Sequence, residues 1–167
     1  MQLLKIDNPN NLGIVSPAFR FDIPGDKSNI RTWHQDSNYF LENKNGNEHL
    51  VTWIPLNKAI KDNGSVIIAP GTHKRGRLKM KHEKASKFKS EQYTSAENLY
   101  NNEKKDYIEA NAGDIAFINM DLLHSSGENI TSNSVRYTAQ IRFNSINKPE
   151  YRPVFLKPEY PEYKRLT

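Results

Sequence analysis

The segment Trp33-His34-Gln35-Asp36 carries an imidazole and a carboxylate two residues apart. On an extended chain, residues i and i+2 point to the same face, so His34 and Asp36 can present two donor groups to one point. A second histidine, His124, stands 88 residues after Asp36. Two histidines and one carboxylate on one face of an octahedron are the ligand set of non-haem Fe(II) oxygenases. That set holds the ion and leaves three positions open for an oxidisable co-substrate and O₂. A His-x-Asp pair is a weak signal when taken alone. By itself it favours the plainer reading, in which His34 is a hydrogen-bonded strand histidine.

The stretch after His124 adds to it. His124-Ser125-Ser126-Gly127-Glu128-Asn129 leads to Val135-Arg136-Tyr137-Thr138. On a strand, Arg136, Thr138, Gln140 and Arg142 share one face, and Val135, Tyr137, Ala139, Ile141 and Phe143 share the other. The apolar face suits a core or a covering layer. The polar face must look into something wet or anionic, because an unpaired buried guanidinium is costly. Arginine grips a carboxylate through two parallel, charge-assisted bonds. The alternative is a surface strand with solvated arginines.

The elements that must position these groups are short. Ala18 to Ile23 alternates and is ended by Pro24-Gly25-Asp26; Asn29 to Trp33 reads as the next strand. Leu50 to Leu56 is β-rich but contains Pro55, and Val66 to Ala69 follows the turn Asp62-Asn63-Gly64. Ile115 to Ile118 follows Asn111-Ala112-Gly113-Asp114, and Ser134 to Asn144 is the last long strand. Many short strands between turn signals predict a sandwich or barrel. The 167 residues suit one domain. Hydrophobic residues make up only 36%, while 15 residues are Tyr or Phe, which again favours a loop-rich all-β fold over a helix bundle.

Cysteine is absent, which excludes disulfides, thiolate metal sites and cysteine nucleophiles. No apolar run approaches the ~18 residues of a membrane span, and the N-terminus lacks a signal-peptide pattern, so a cytoplasmic location without membrane contact is expected. The net charge of +5 is uneven. Residues 73–90 hold eight Lys/Arg and one acid, so this segment is +7 and the remainder is −2. The basic run 74–89 has one aromatic, Phe88, which makes a poor platform for stacking bases and argues against nucleic acid. Its other readings are an anion-attracting lid and a plain solvated loop. Residues 74–105 as a whole read as a lid-like insertion with one short helix around Ala96 to Asn101. Residues 145–167, rich in Pro and Tyr, read as an extended tail.

Three blocks stand in order: WHQDSNYF, then VTWIPLNKAIKDNGSVIIAPGTHKRG, then GDIAFINMDLLHSSGEN with Arg136. Together they resemble the phytanoyl-CoA dioxygenase family over roughly residues 18 to 144. The resemblance implies an Fe(II)- and 2-oxoglutarate-dependent oxygenase on a double-stranded β-helix, the cupin-like jelly roll. It implies that His34, Asp36 and His124 bind iron, and that Arg136 holds the far carboxylate of 2-oxoglutarate. Ser126 and Trp53 fall where the family has further co-substrate contacts. The implied reaction consumes O₂, releases succinate and CO₂, and hydroxylates a small organic substrate, which is anionic if the basic run 74–89 is an anion-attracting lid. Related halogenases replace the carboxylate ligand by a small residue; this chain keeps Asp36, which points to hydroxylation. A non-catalytic jelly-roll binding module derived from the family is the second reading. Family members carry more chain before the motif than the 33 residues preceding His34, so the chain reads as a short form or a fragment. Of the other histidines, His73 is expected to hydrogen-bond backbone, and His49 and His82 to be exposed. Gln35 should face away from the metal. Tyr39 and Phe40 should wall the cavity or fill the core.

Overall fold

The computed structural model describes residues 2–4, 6–40, 49–83, 92–94 and 100–145. In chain order the elements are β1 (Leu12–Asp22), α1 (Ser37–Phe40), β2 (His49–Pro55), β3 (Val66–Ile68), β4 (Lys81–Glu83), β5 (Gln92–Thr94), β6 (Asp106–Tyr107), β7 (Ala116–Asn119), β8 (His124–Ser126) and β9 (Arg136–Ser145). Short 3₁₀ turns lie at Gln2–Leu4, Pro9–Asn11 and Thr72–Arg75. One antiparallel sheet runs β1-β9-β2-β7; a second runs β6-β3-β8; β4 and β5 form a separate ladder. The architecture is all-β, as the strand pattern predicts, and is the jelly roll that the resemblance implies.

β9 is one of the two inner strands of the large sheet. It pairs along its length with β1 from Leu12↔Ser145 to Asp22↔Arg136, and on its other side with β2 from His49↔Asn144 to Pro55↔Thr138. The two faces alternate as predicted, but their placement differs: Arg136, Thr138, Arg142 and Asn144 of the polar face are buried, while the apolar face expected to pack into a core or covering layer carries exposed Tyr137 and half-buried Ala139, Ile141 and Phe143. β1 is an edge strand with Pro17 inside it. Proline has no N–H to give a ladder, and the pairing slips between Val15 and Ala18.

The turn at Asp62-Asn63-Gly64 locks the small sheet. Gly64 has φ +83°, a conformation that favours glycine. A side chain at Gly127 would meet the Ser65 carbonyl at 2.4 Å, so the chain just after β8 lies against the chain just before β3. This close approach fixes the register Val66↔Ser126 and Ile68↔His124. The two sheets share one core, built from Val51 and Trp53 of β2, Val66 of β3, Ile118 of β7, and Ala59 and Met120 from loops.

Several expectations shift. Residues 29–33 form no strand. Their backbone meets β8 at single points: Ser126 N donates to Arg31 O at 2.9 Å, and His34 exchanges hydrogen bonds with His124 at 2.8 and 3.0 Å. β8 is too short to carry a longer ladder there. His49 is buried, not exposed, because it opens β2 on the inward face beside Val51 and Trp53. Of the 74–105 insertion, residues 84–91 and 95–99 lie outside the described residues, as do the side chain of His82 and most of the expected helix. The tail beyond Ser145 also lies outside them. Among the described residues no helix is long and apolar enough to cross a membrane.

Candidate metal centre and its cavity

His34 and His124 sit opposite each other as an isolated antiparallel bridge, on the side of β8 away from β3. Their ring centroids lie 4.2 Å apart. Asp36 is not on an extended chain, as the i, i+2 reading required. It stands in a turn that opens α1, where Tyr39 N donates to Asp36 O at 2.9 Å. That turn still brings the carboxylate to the histidines. Asp36 Oδ1 is 3.6 Å from His34 Nε2 and 3.8 Å from His124 Nε2. One donor atom from each residue falls within 4.8 Å of the others, so the three could hold a metal ion.

The rings are oriented for that task. His34 Nδ1 donates to Thr32 O at 2.6 Å, and His124 Nδ1 donates to Leu122 O at 2.9 Å. Each bond commits Nδ1 to the proton and leaves the Nε2 lone pair facing Asp36. Burial lowers the His124 pKa to about 4, with the neighbouring His34 acting in the same direction and Asp36 opposing. Burial pushes Asp36 upward, yet Arg142 and the two histidines outweigh it and hold the carboxyl well below the usual carboxylate range. A neutral imidazole and an ionised carboxylate are the forms that bind metal. Arg142 Nε donates to Asp36 Oδ2 at 3.0 Å.

A cavity of about 360 Å³ opens on this cluster. Its lining includes Arg20, Arg31, Trp53, Ser126, Gln140 and Arg142 along with His34, Asp36 and His124. Trp53 and Ser126, which the resemblance implies as co-substrate contacts, are among these lining residues. Trp53 is almost wholly buried and its Nε1 has no hydrogen-bond partner among the described residues. Ser126 Oγ accepts from Arg31 N at 3.0 Å. Tyr39 serves both of its expected roles: it lines the cavity, packs on the core, and sets its ring edge-on to His34 at 5.5 Å.

Arg136 is placed differently. It is not among the residues lining the cavity. Its guanidinium lies 5.6 Å from the Trp53 ring centre and is engaged elsewhere. It pairs with Asp22 Oδ2 at 2.7 Å and donates to Gly64 O at 2.7 Å and Asn63 O at 3.3 Å. Burial lowers its pKa to about 10 although Asp22 opposes the shift. Asp22 is shared: Arg20 Nε and its Nη2 also hold that carboxylate, at 2.6 to 3.0 Å.

Asp22 is a site residue that the motifs did not single out. Its role follows from register, because it faces Arg136 only once β1 is paired with β9. Gln35 points away from the metal cluster as expected, and it has a task of its own. Its Nε2 donates to Asp121 O at 2.6 Å and Gly76 O at 3.0 Å, and its Oε1 accepts from Leu78 N at 2.7 Å. It ties the start of the basic segment to the loop before β8. His73 is not part of the cluster.

The fold matches solved structures at low identity. AviO1 from Streptomyces viridochromogenes Tue57 aligns with a TM-score of 0.60 and 20% identity, over 85% of this chain and 53% of that one. EctD from S. alaskensis, solved with bound Fe, aligns at 0.58 and 19%, over 81% and 45%. The epimerase SnoN, solved with Fe³⁺, alpha ketoglutarate and nogalamycin RO, aligns at 0.58 and 18%, over 80% and 50%. The chain thus spans about half the length of the structures it resembles. No curated protein matches it in sequence. The family model described as phytanoyl-CoA dioxygenase matches residues 14–137, covering both histidines, Asp36 and Arg136, and the chain belongs to that family.

Proposed function

We propose that the protein is an Fe(II)- and 2-oxoglutarate-dependent dioxygenase that hydroxylates a small organic substrate. The observation that carries this reading is the convergence of two Nε2 lone pairs and one carboxylate oxygen at the floor of a cavity, with both Nδ1 atoms already committed to backbone carbonyls. His34, Asp36 and His124 would hold the iron. Bound iron would supply O₂ activation coupled to oxidative decarboxylation of 2-oxoglutarate, giving succinate and CO₂.

The chain's own residues do the rest. Trp53 offers an unmet N–H beside the cavity, and Ser126 a hydroxyl, to an anionic co-substrate. Arg20 and Arg31 line the same space and bias it toward anions. Arg136 is proposed for the far carboxylate, which would take over one of the two guanidinium groups that Asp22 now holds. Val51, Val66 and Ile118 wall the cavity with apolar surface and limit water. At about 360 Å³ the space lies near the lower end for small-ligand sites, so the substrate is small or only partly enclosed.

The second reading, a binding module without catalysis, draws on the engagement of Arg136 by Asp22 and two carbonyls. Anaerobic addition of Fe(II) and 2-oxoglutarate separates the two. The enzyme reading expects the weak visible charge-transfer band of the chelate in the wild type and its loss in His124→Ala. Iron uptake without that band would favour the module.

A further inference from the structure

We propose that Arg142 is a positioning residue that restricts Asp36 to one metal-facing oxygen. The proposal rests on the reading of His34, Asp36 and His124 as a metal site. The two oxygens of Asp36 have different surroundings. Oδ1 faces His34 Nε2 and His124 Nε2, while Oδ2 accepts from Arg142 Nε at 3.0 Å. Both side chains are buried, at 6% and 10% exposure, so water does not compete freely for either partner.

The placement of Arg142 is stiff. It sits in the middle of β9, opposite Val15 of β1 and Val51 of β2, so its backbone is held from both sides. Its Nη2 also donates to Gln140 Oε1 at 3.3 Å. A guanidinium fixed in this way can hold Oδ2 back from the ion.

Counting coordination positions shows why that matters. Three ligands giving one atom each leave three positions of an octahedral ion open. 2-Oxoglutarate, if bound through its keto and near carboxylate oxygens, would take two, and O₂ would need the third. A carboxylate bound through both oxygens would consume that third position. Arg142 thereby preserves an open position without touching the reacting atoms.

Co(II), added to the metal-free protein, is the probe. X-ray absorption of the Co(II) form distinguishes one-oxygen from two-oxygen carboxylate binding by the cobalt–carbon distance. We expect one-oxygen binding in the wild type and in Arg142→Lys, which retains a charged donor. Arg142→Met should show two-oxygen binding, with 2-oxoglutarate affinity on the Co(II)-loaded protein falling about tenfold. One-oxygen binding in a folded Arg142→Met would overturn the proposal. If 2-oxoglutarate affinity fell in that same case, Arg142 would be a ligand-binding residue instead. Should Arg142→Met fail to fold, the carboxylate stretches in the infrared difference between Co(II)-loaded and metal-free wild type still decide. Two-oxygen binding there would overturn the role of Arg142 while leaving the metal site standing. Absence of Co(II) uptake by the wild type would remove both readings together.

Discussion

At the residue scale, charge is the strongest lever on this site. His124 has a pKa of about 4 in the folded chain against 6.5 as its ordinary value. Between those values the unfolded chain binds more protons than the folded one, so stability rises with pH through the window 4 to 6.5 and levels off above it. The full shift corresponds to about 3 kcal/mol. Asp36 acts at lower pH with the same sign, since its folded pKa lies below the ordinary value and its contribution is lost as the carboxylate protonates. Urea unfolding of the metal-free protein should therefore show a midpoint that climbs from pH 4 to 6.5. A flat profile in that window would contradict the buried, neutral state of His124. Asp22 makes a second case. It balances two arginines, Arg20 and Arg136, and shares the latter with two backbone carbonyls. Asp22→Asn removes the charge but retains a group of similar size. If Arg136 grips the far carboxylate of 2-oxoglutarate, Asp22→Asn should tighten 2-oxoglutarate binding several-fold by calorimetry, at some loss of thermal stability. Weaker binding would show that Asp22 orients Arg136 instead of competing for it.

At the scale of elements, the site depends on how tightly β8 is held to β3. Gly127→Ala would place a methyl 2.4 Å from the Ser65 carbonyl and 3.2 Å from Gly64 Cα, both backbone atoms. Neither can rotate away, so the strand must shift, and His124 shifts with it. We expect a loss of thermal stability of a few kcal/mol together with weakened metal binding. Unchanged metal affinity would mean that β8 moves as a unit with the segment carrying His34. The elements also show how far the sequence could be read. The alternation on β9 marked Arg136, Gln140 and Arg142 as one shared face because a half-buried strand leaves a period of two, while which face turns inward came only with the fold. The three candidate ligands were legible from donor chemistry and resemblance, although the extended chain assumed for His34 and Asp36 is a turn. His49 was not: its neighbours are polar and suggest a turn, whereas its burial comes from pairing with β9, which local composition does not encode. The partnership of Asp22 with Arg136 was hidden for the same reason. The segment 29–33 was misread because its apolar and polar residues fit a strand, while the short β8 offers it only point contacts.

At the scale of the whole molecule, the large sheet has two unlike faces. The inner one builds the core and the cavity. The outer one carries Phe19 and Phe21 from β1, Phe117 from β7 and Tyr137 from β9, all exposed, with Phe19 at 74%. Phe21 and Tyr137 are register partners and meet edge to face at 5.6 Å. Such contact recovers only part of the benefit of burial, which is about 1.5–3 kcal/mol for a large apolar side chain. Phe19, Phe21 and Tyr137 gather on the β1–β9 side of that face and Phe117 stands on the opposite edge strand, and exposed apolar surface of that kind binds hydrophobic dyes even in a native protein. The folded chain should therefore enhance the fluorescence of anilinonaphthalene sulfonate. Phe19→Lys combined with Phe117→Lys should remove most of that signal. These side chains point away from the cavity, because their strand neighbours Ala18, Arg20 and Ile118 point into it. Co(II) uptake should stay unchanged in the double variant. If dye binding persisted while Co(II) uptake fell, the dye would be reporting on the cavity, and the outer face would have to be less accessible than its exposed rings imply.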